Sequence, residues 1–171
     1  MQHTLSVLVI NNPGVLNRVS GLFSRRGFNI DSISVGASEH PQMSRMTIVV
    51  QGDQNILEQV TKQLHKLVEV VKISDITEED YVDREMVMIK VQTDPASRAE
   101  IMQLVDIFRA KIVDVAPKTL IIEATGDAGK VNAIIQSLKK FGIRELVRTG
   151  KVAMLRGSKF DRNVREVESI G

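Results

Sequence analysis

One order of hydrophobic periods occurs twice along this chain: strand, helix, strand, strand, helix, strand. That duplication restricts the fold to two small sheets, each backed by two helices. Leu5 to Ile10 is a short apolar run rich in Val and Ile, the mark of a buried strand. Asn12-Pro13-Gly14 interrupts it; Asn12 suits an N-cap and Pro13 the first helical position. Val15, Leu16, Val19, Leu22 and Phe23 follow at helical spacing. Arg25 and Arg26 suit the negative end of the helix dipole, and Gly27 the residue just past it. Phe28 to Val35 returns as a strand, Glu39-His40-Pro41-Gln42 turns, and Met46, Ile48 and Val50 alternate on the next strand. Gly52-Asp53 opens a helix whose expected apolar stripe is Ile56, Val60, Leu64 and Leu67, and Val68 to Ile73 closes the unit.

After the acidic stretch Thr77-Glu78-Glu79-Asp80 the order repeats. Met86 to Val91 is a strand, and Asp94-Pro95 opens a helix carrying Ile101, Leu104, Val105 and Phe108. Ile112 to Val115 and Leu120 to Glu123 are strands. Gly126-Asp127, in the place of Gly52-Asp53, opens a helix with Val131, Ile134, Ile135, Leu138 and Phe141. A last strand is expected within Glu145 to Leu155, with Gly150 as a bulge or turn. The expectation is therefore an α+β chain of two ferredoxin-like βαββαβ domains, residues 1–76 and 84–157, joined by a linker, 77–83. Residues 158–171, charged and without periodicity, are expected to be a flexible tail.

Several functions are poorly supplied. The apolar runs are about five residues long, too short to span a bilayer. There are 0 cysteines, so disulfides, thiolate metal sites and cysteine nucleophiles are excluded, and a cytoplasmic location is expected. Lys and Arg number 23 against 21 acids and are mixed with them rather than gathered in a stripe. Aromatics are only 4%, so base stacking is poorly served, and no nucleic-acid partner is expected although βαββαβ modules include RNA binders. His3, His40 and His65 are scattered without metal-ligand spacing, so no metal ligands are expected. Gly126-Asp127-Ala128-Gly129-Lys130-Val131 has the wrong spacing and the wrong last residue for a phosphate loop; it reads as a helix start. No catalytic constellation emerges.

The best candidate for binding is Asn11-Asn12-Pro13-Gly14-Val15-Leu16. As local structure it is a strand-to-helix turn. As a site, a helix start offers unpaired N–H groups and partial positive charge to a carboxylate. Gly14 permits close approach, and the Asn11 amide can donate and accept. Ser20, Gly21 and Ser24 make one part of the first helix small, which fits either tight packing inside the domain or a second subunit close by.

Asn11 to Leu16 resembles the ACT-domain signature Asp-x-Pro-Gly-x-Leu. The stretch Arg18 to Ser32, with Ser44-Arg-Met-Thr-Ile48 and Gln63-Leu-His-Lys-Leu-Val68, resembles the small regulatory subunits of acetohydroxyacid synthase. The likeness extends over roughly Leu5 to Gly157. It implies that residues 1–76 are an ACT domain and that the chain has no catalytic activity alone. The implied partner is a large catalytic subunit using thiamine diphosphate, magnesium and FAD, which this chain would activate and place under feedback inhibition in branched-chain amino acid biosynthesis. An amino-acid-sensing regulator of a different partner is the alternative. The implied effector is valine, with leucine or isoleucine as alternatives, held in a homodimer between the first loop of one chain and the second strand of its neighbour. Carried over by motif, Asn11, Gly14, Val15 and Leu16 belong to that loop, and Asn29 and Ile30 to the facing strand. Two departures are evident: the usual ACT acid is Asn11, and the second half has Asp94-Pro95-Ala96 without the Pro-Gly, so a second effector site is expected to be degenerate.

Overall fold

The computed structural model describes residues 1–157; the expected tail at 158–171 lies outside the described residues. The contacts of the described chain form two units, residues 1–82 with 151–157, and residues 83–150. The first unit runs β1 (Gln2–Ile10), α1 (Val15–Arg25), β2 (Asn29–Ala37), β3 (Met43–Gln51), α2 (Gln54–Leu64) and β4 (Val70–Asp75). Its antiparallel sheet has the order β2-β3-β1-β4. β1 and β3 pair in register from Gln2 opposite Gln51 to Ile10 opposite Met43. That register puts Leu5, Val7 and Val9 beside Ile48, Met46 and Ser44, and alternation sends this side toward the helices. There they meet Val15, Val19 and Phe23 of α1 and Leu57, Val60 and Leu64 of α2 in one buried cluster.

The helix starts differ from one another. Gly52-Asp53 opens α2 as expected, and Asp53 caps it, its side chain accepting from the Asn55 N–H at 2.7 Å. Asn12 does not cap α1. The cap residue is Gly14, at φ 82, with no side-chain hydrogen bond. The turn needs a left-handed residue at its last step, which glycine supplies more cheaply than asparagine. The α2 stripe is also shifted, with Leu57 buried and Ile56 39% exposed. Gly52 is dictated by packing, since a Cβ there would overlap the Phe28 ring. The closing strand starts at Val70 rather than Val68, which is 89% exposed.

The second unit repeats the plan with β5 (Tyr81–Gln92), α3 (Arg98–Ile107), β6 (Lys111–Val115), β7 (Thr119–Gly126), α4 (Ala128–Leu138) and β8 (Ile143–Arg148), in sheet order β6-β7-β5-β8. The duplication extends to irregularities. The register slips between Ile30 and Ser32 in the first unit and between Ile112 and Asp114 in the second. It slips again between Leu8 and Val9 and between Lys90 and Val91. The two units thus carry bulges at matched places.

The expected last strand is two strands, β8 and β9 (Val152–Leu155), with Gly150 at φ 79 between them. Residues 151–157, expected within the 84–157 domain, group with the first unit. There the Ala153 N–H donates to Thr47 Oγ1 at 3.3 Å, and the Arg156 N–H donates to the Asp80 carbonyl at 3.0 Å. The face of the first sheet turned from its helices is correspondingly closed at Thr4, Thr47 and Val49, all buried. No helix among the described residues is long and apolar enough to cross a membrane.

Candidate functional site

The loop between β1 and α1 is fixed by backbone bonds at both ends. The Ile10 N–H donates to the Glu69 carbonyl and the Asn11 N–H to the Gln42 carbonyl, each at 2.7 Å. The Arg18 N–H closes the first helical turn on the Gly14 carbonyl at 3.0 Å. The N–H groups of Gly14, Leu16 and Asn17 have no acceptor among the described residues. The first turn contains no acidic residue. The positive end of the α1 dipole is thus left open where Gly14 presents bare backbone.

Of the loop residues, Asn11, Gly14 and Leu16 are exposed. The Asn11 side chain makes no hydrogen bond among the described residues. Val15 is 4% exposed and packs into the core of its own unit, so only its backbone faces outward. On β2, Asn29 is exposed, and Ile30 is partly buried against the same core. The Asn29 Nδ2 donates to Asp31 Oδ1 at 2.9 Å, which leaves the amide oxygen available as an acceptor. Asp31 is the residue the β2 bulge sets out of register. Its carboxylate also accepts from the amides of Gln51 at 3.0 Å and Gln2 at 3.3 Å. Those bonds, Gln51 first, hold the Asp31 carboxyl below the ordinary aspartate value.

The two groups of candidates are not together within one chain. Asn29 pairs with Gln51, which pairs with Gln2; the loop follows Ile10, which pairs with Met43. The eight steps along β3 from Met43 to Gln51 separate Asn29 from the loop by roughly 27 Å at about 3.4 Å per residue. One chain therefore offers two candidate half-sites.

Three residues the sequence reading did not single out lie against these candidates. Asp31 orients Asn29. Arg18 reaches back over Gly14, with Nη2 3.5 Å from the Pro13 carbonyl oxygen and ion-paired to Glu69. The spacing of Arg18 from Gly14, one helical turn, was a usable signal; Glu69 lies 51 residues from Arg18 and gave none. The small face of α1 is not needed inside the unit. A Cβ on Gly21 would meet only Arg25 Nη2, at 4.0 Å.

The matching loop of the second unit is closed. The Asp94 carboxylate accepts from the Ser97 N–H at 2.8 Å, and Ser97 Oγ accepts from the Asp94 N–H at 3.0 Å. The Ser97 bonds hold the Asp94 carboxyl below its ordinary value. This helix start carries its own carboxylate where the first leaves space for another. Among the described residues, no three His, Asp or Glu side chains gather in a way that could hold a metal ion.

Two family models match along the chain. Residues 5–72 match the acetohydroxyacid synthase small subunit-like ACT domain, and residues 84–157 match the small subunit of acetolactate synthase. A protein of Archaeoglobus fulgidus described as a probable acetolactate synthase small subunit is 57% identical over 159 residues, covering 93% of this chain and 99% of that one. The acetolactate synthase small subunit of Mycobacterium bovis is 53% identical over 155 residues, covering 91% and 92%. The crystal structure of the acetolactate synthase small subunit from Thermotoga maritima superposes with a TM-score of 0.84 at 50% identity, covering 91% of this chain and 98% of that one. Sequence, fold and the matched pair of units agree that this chain belongs to the acetolactate synthase small-subunit family, with an ACT domain in its first half.

Proposed function

We propose that the chain activates a large catalytic acetolactate synthase subunit and confers feedback inhibition on it by valine, bound between the ACT domains of a homodimer. The observation that carries this reading is the division of the candidates into half-sites at opposite ends of one sheet. β2 is an edge strand of that sheet. An antiparallel pairing of two β2 edges about a two-fold axis reverses the neighbour's direction. The start of β2 in one copy, with Asn29, then comes to the end where the other copy holds its loop. The valine carboxylate would take the open N–H groups of Gly14, Leu16 and Asn17, and its ammonium the Asn29 amide oxygen of the second copy. The exposed Leu16 supplies apolar surface for the isopropyl group. The small face of α1 at Ser20, Gly21 and Ser24, unused inside the unit, suits close approach by the second copy.

In this reading thiamine diphosphate, magnesium and FAD belong to the catalytic subunit, which condenses pyruvate with pyruvate or 2-ketobutyrate. The pair acts in branched-chain amino acid biosynthesis in the cytoplasm. The test is acetolactate formation by the catalytic subunit with and without this chain, and with and without valine. Stimulation by the chain that valine reverses is the expected result. Leucine or isoleucine acting in place of valine would change the effector and keep the site. A chain that neither stimulates nor confers inhibition would overturn the proposal.

A further inference from the structure

We infer that Arg18 is a specificity-determining residue of the proposed effector site, selecting ligands that carry a free α-carboxylate; this rests on the reading of the Asn11–Leu16 loop as the effector loop. A helical side chain leans toward the N-terminus of its helix, so a residue one turn into α1 can cover the residue at its start. Arg18 does so. Its Nη2 is held by the Pro13 carbonyl oxygen and by the Glu69 carboxylate. Its Nη1 has no partner among the described residues and lies 3.2 Å from where a Gly14 Cβ would stand. The guanidinium is therefore clamped along one edge and open along the other, over the bare backbone of Gly14.

This arrangement is costly unless an anion completes it. A cation drawn to the positive end of a helix opposes the dipole, and α1 has no acid in its first turn and no side-chain cap to offset it. Glu69 supplies one negative charge, but it is spent on the far edge, where its side chain is 19% exposed against 44% for Arg18. The same residue ties down the end of β1, its carbonyl accepting from the Ile10 N–H at 2.7 Å. Glu69 thus fixes both the loop and the cation facing it. A planar guanidinium with one edge held offers its remaining N–H groups in a set direction, which suits a carboxylate oxygen better than a mobile ammonium would. Asn11, neutral where the family signature has an acid, adds no second negative charge to the one Glu69 supplies.

Valine and valinamide, titrated calorimetrically into the full-length chain as wild type, Arg18→Met and Arg18→Lys, separate carboxylate selection from simple support of the loop. Arg18→Met is expected to weaken valine at least tenfold and Arg18→Lys to recover part of the loss, while valinamide, already weak with wild type, changes less than twofold. Valine affinity within twofold of wild type in Arg18→Met overturns the inference. So does an equal loss for valine and valinamide, because a merely structural Arg18 would affect both alike. A wild-type chain that takes up valine, leucine and isoleucine not at all removes the proposed function itself, a result distinguishable from the other two.

Discussion

Gly14 and Asn29 stand at opposite ends of one sheet: Gly14 lies beyond the Ile10–Met43 pair, and Asn29 lies on the Gln51–Gln2 pair. Within one chain they cannot touch the same small molecule. The proposed effector site therefore calls for two copies, and in that dimer each of two sites would draw one half from either chain.

That geometry predicts complementation. Chains carrying Gly14→Asp and chains carrying Asn29→His should each fail to bind valine as homodimers. A mixed dimer purified through two different tags should regain one intact site, because one of its two sites takes both halves from unmutated positions. Calorimetry should read about half a wild-type stoichiometry at wild-type affinity. A mixed dimer that binds nothing would place the site elsewhere.

Gly14→Asp should act on binding more than on folding. An aspartate at φ 82 costs about 1 kcal/mol. Its carboxylate would lie beside the Arg18 guanidinium, offsetting part of that cost and taking the place proposed for the effector's carboxylate. Urea unfolding should change by about 1 kcal/mol or less, while valine affinity falls more than tenfold.

Asp31 gives a pH dependence with a definite sign. Its carboxyl is held below the ordinary value of 3.8 by Gln51, Gln2 and Asn29. A lowered folded-state pKa means the interaction is complete above that ordinary value and is lost as pH falls through the lowered one. The Asn29 amide should therefore stay oriented from neutral pH down to about 3.8. Valine affinity should not vary with Asp31 over that range. Asp31→Asn should weaken valine roughly threefold at neutral pH, the effect of losing one exposed charge-assisted hydrogen bond.

Gly52→Ala should destabilise the first unit by about 2 kcal/mol, the usual range for forcing an extra carbon into a packed core. The added Cβ would overlap the Phe28 ring, which stands edge-on to Phe23 at 6.1 Å between centroids. Gly27→Ala, whose Cβ would meet nothing within 4 Å, tests left-handed backbone strain without this clash. Thermal unfolding of the two variants side by side separates packing from backbone strain.

Thr47→Val should cost about 1 kcal/mol by leaving the Ala153 N–H without its acceptor. The loss should appear in the urea midpoint of the first unit. A neutral result would mean that residues 151–157 contribute little to closing the outer face of that sheet.

The sequence alone determined what short-range physics determines. Period-two and helical runs located both βαββαβ units. Gly52-Asp53 and Gly126-Asp127 announced two helix starts, where the Asp53 and Asp127 side chains accept from the N–H groups of Asn55 and Lys130. Gly14 and Asn29 could be singled out by motif likeness before any strand was placed. The α1 cap was misread because Asn12 and Gly14 both suit a helix start, and only the left-handed turn actually formed chooses between them. Contacts between distant residues decided the rest. Glu69 meets Arg18 across 51 residues, Thr47 meets Ala153 across 106, and the Gln2–Gln51–Asn29 register sets the half-sites apart. None of these has a local signature, because a side chain's preference for helix or strand does not say which distant strand end will lie beside it. Pairing register and burial settle that, and they exist only once the sheet has formed.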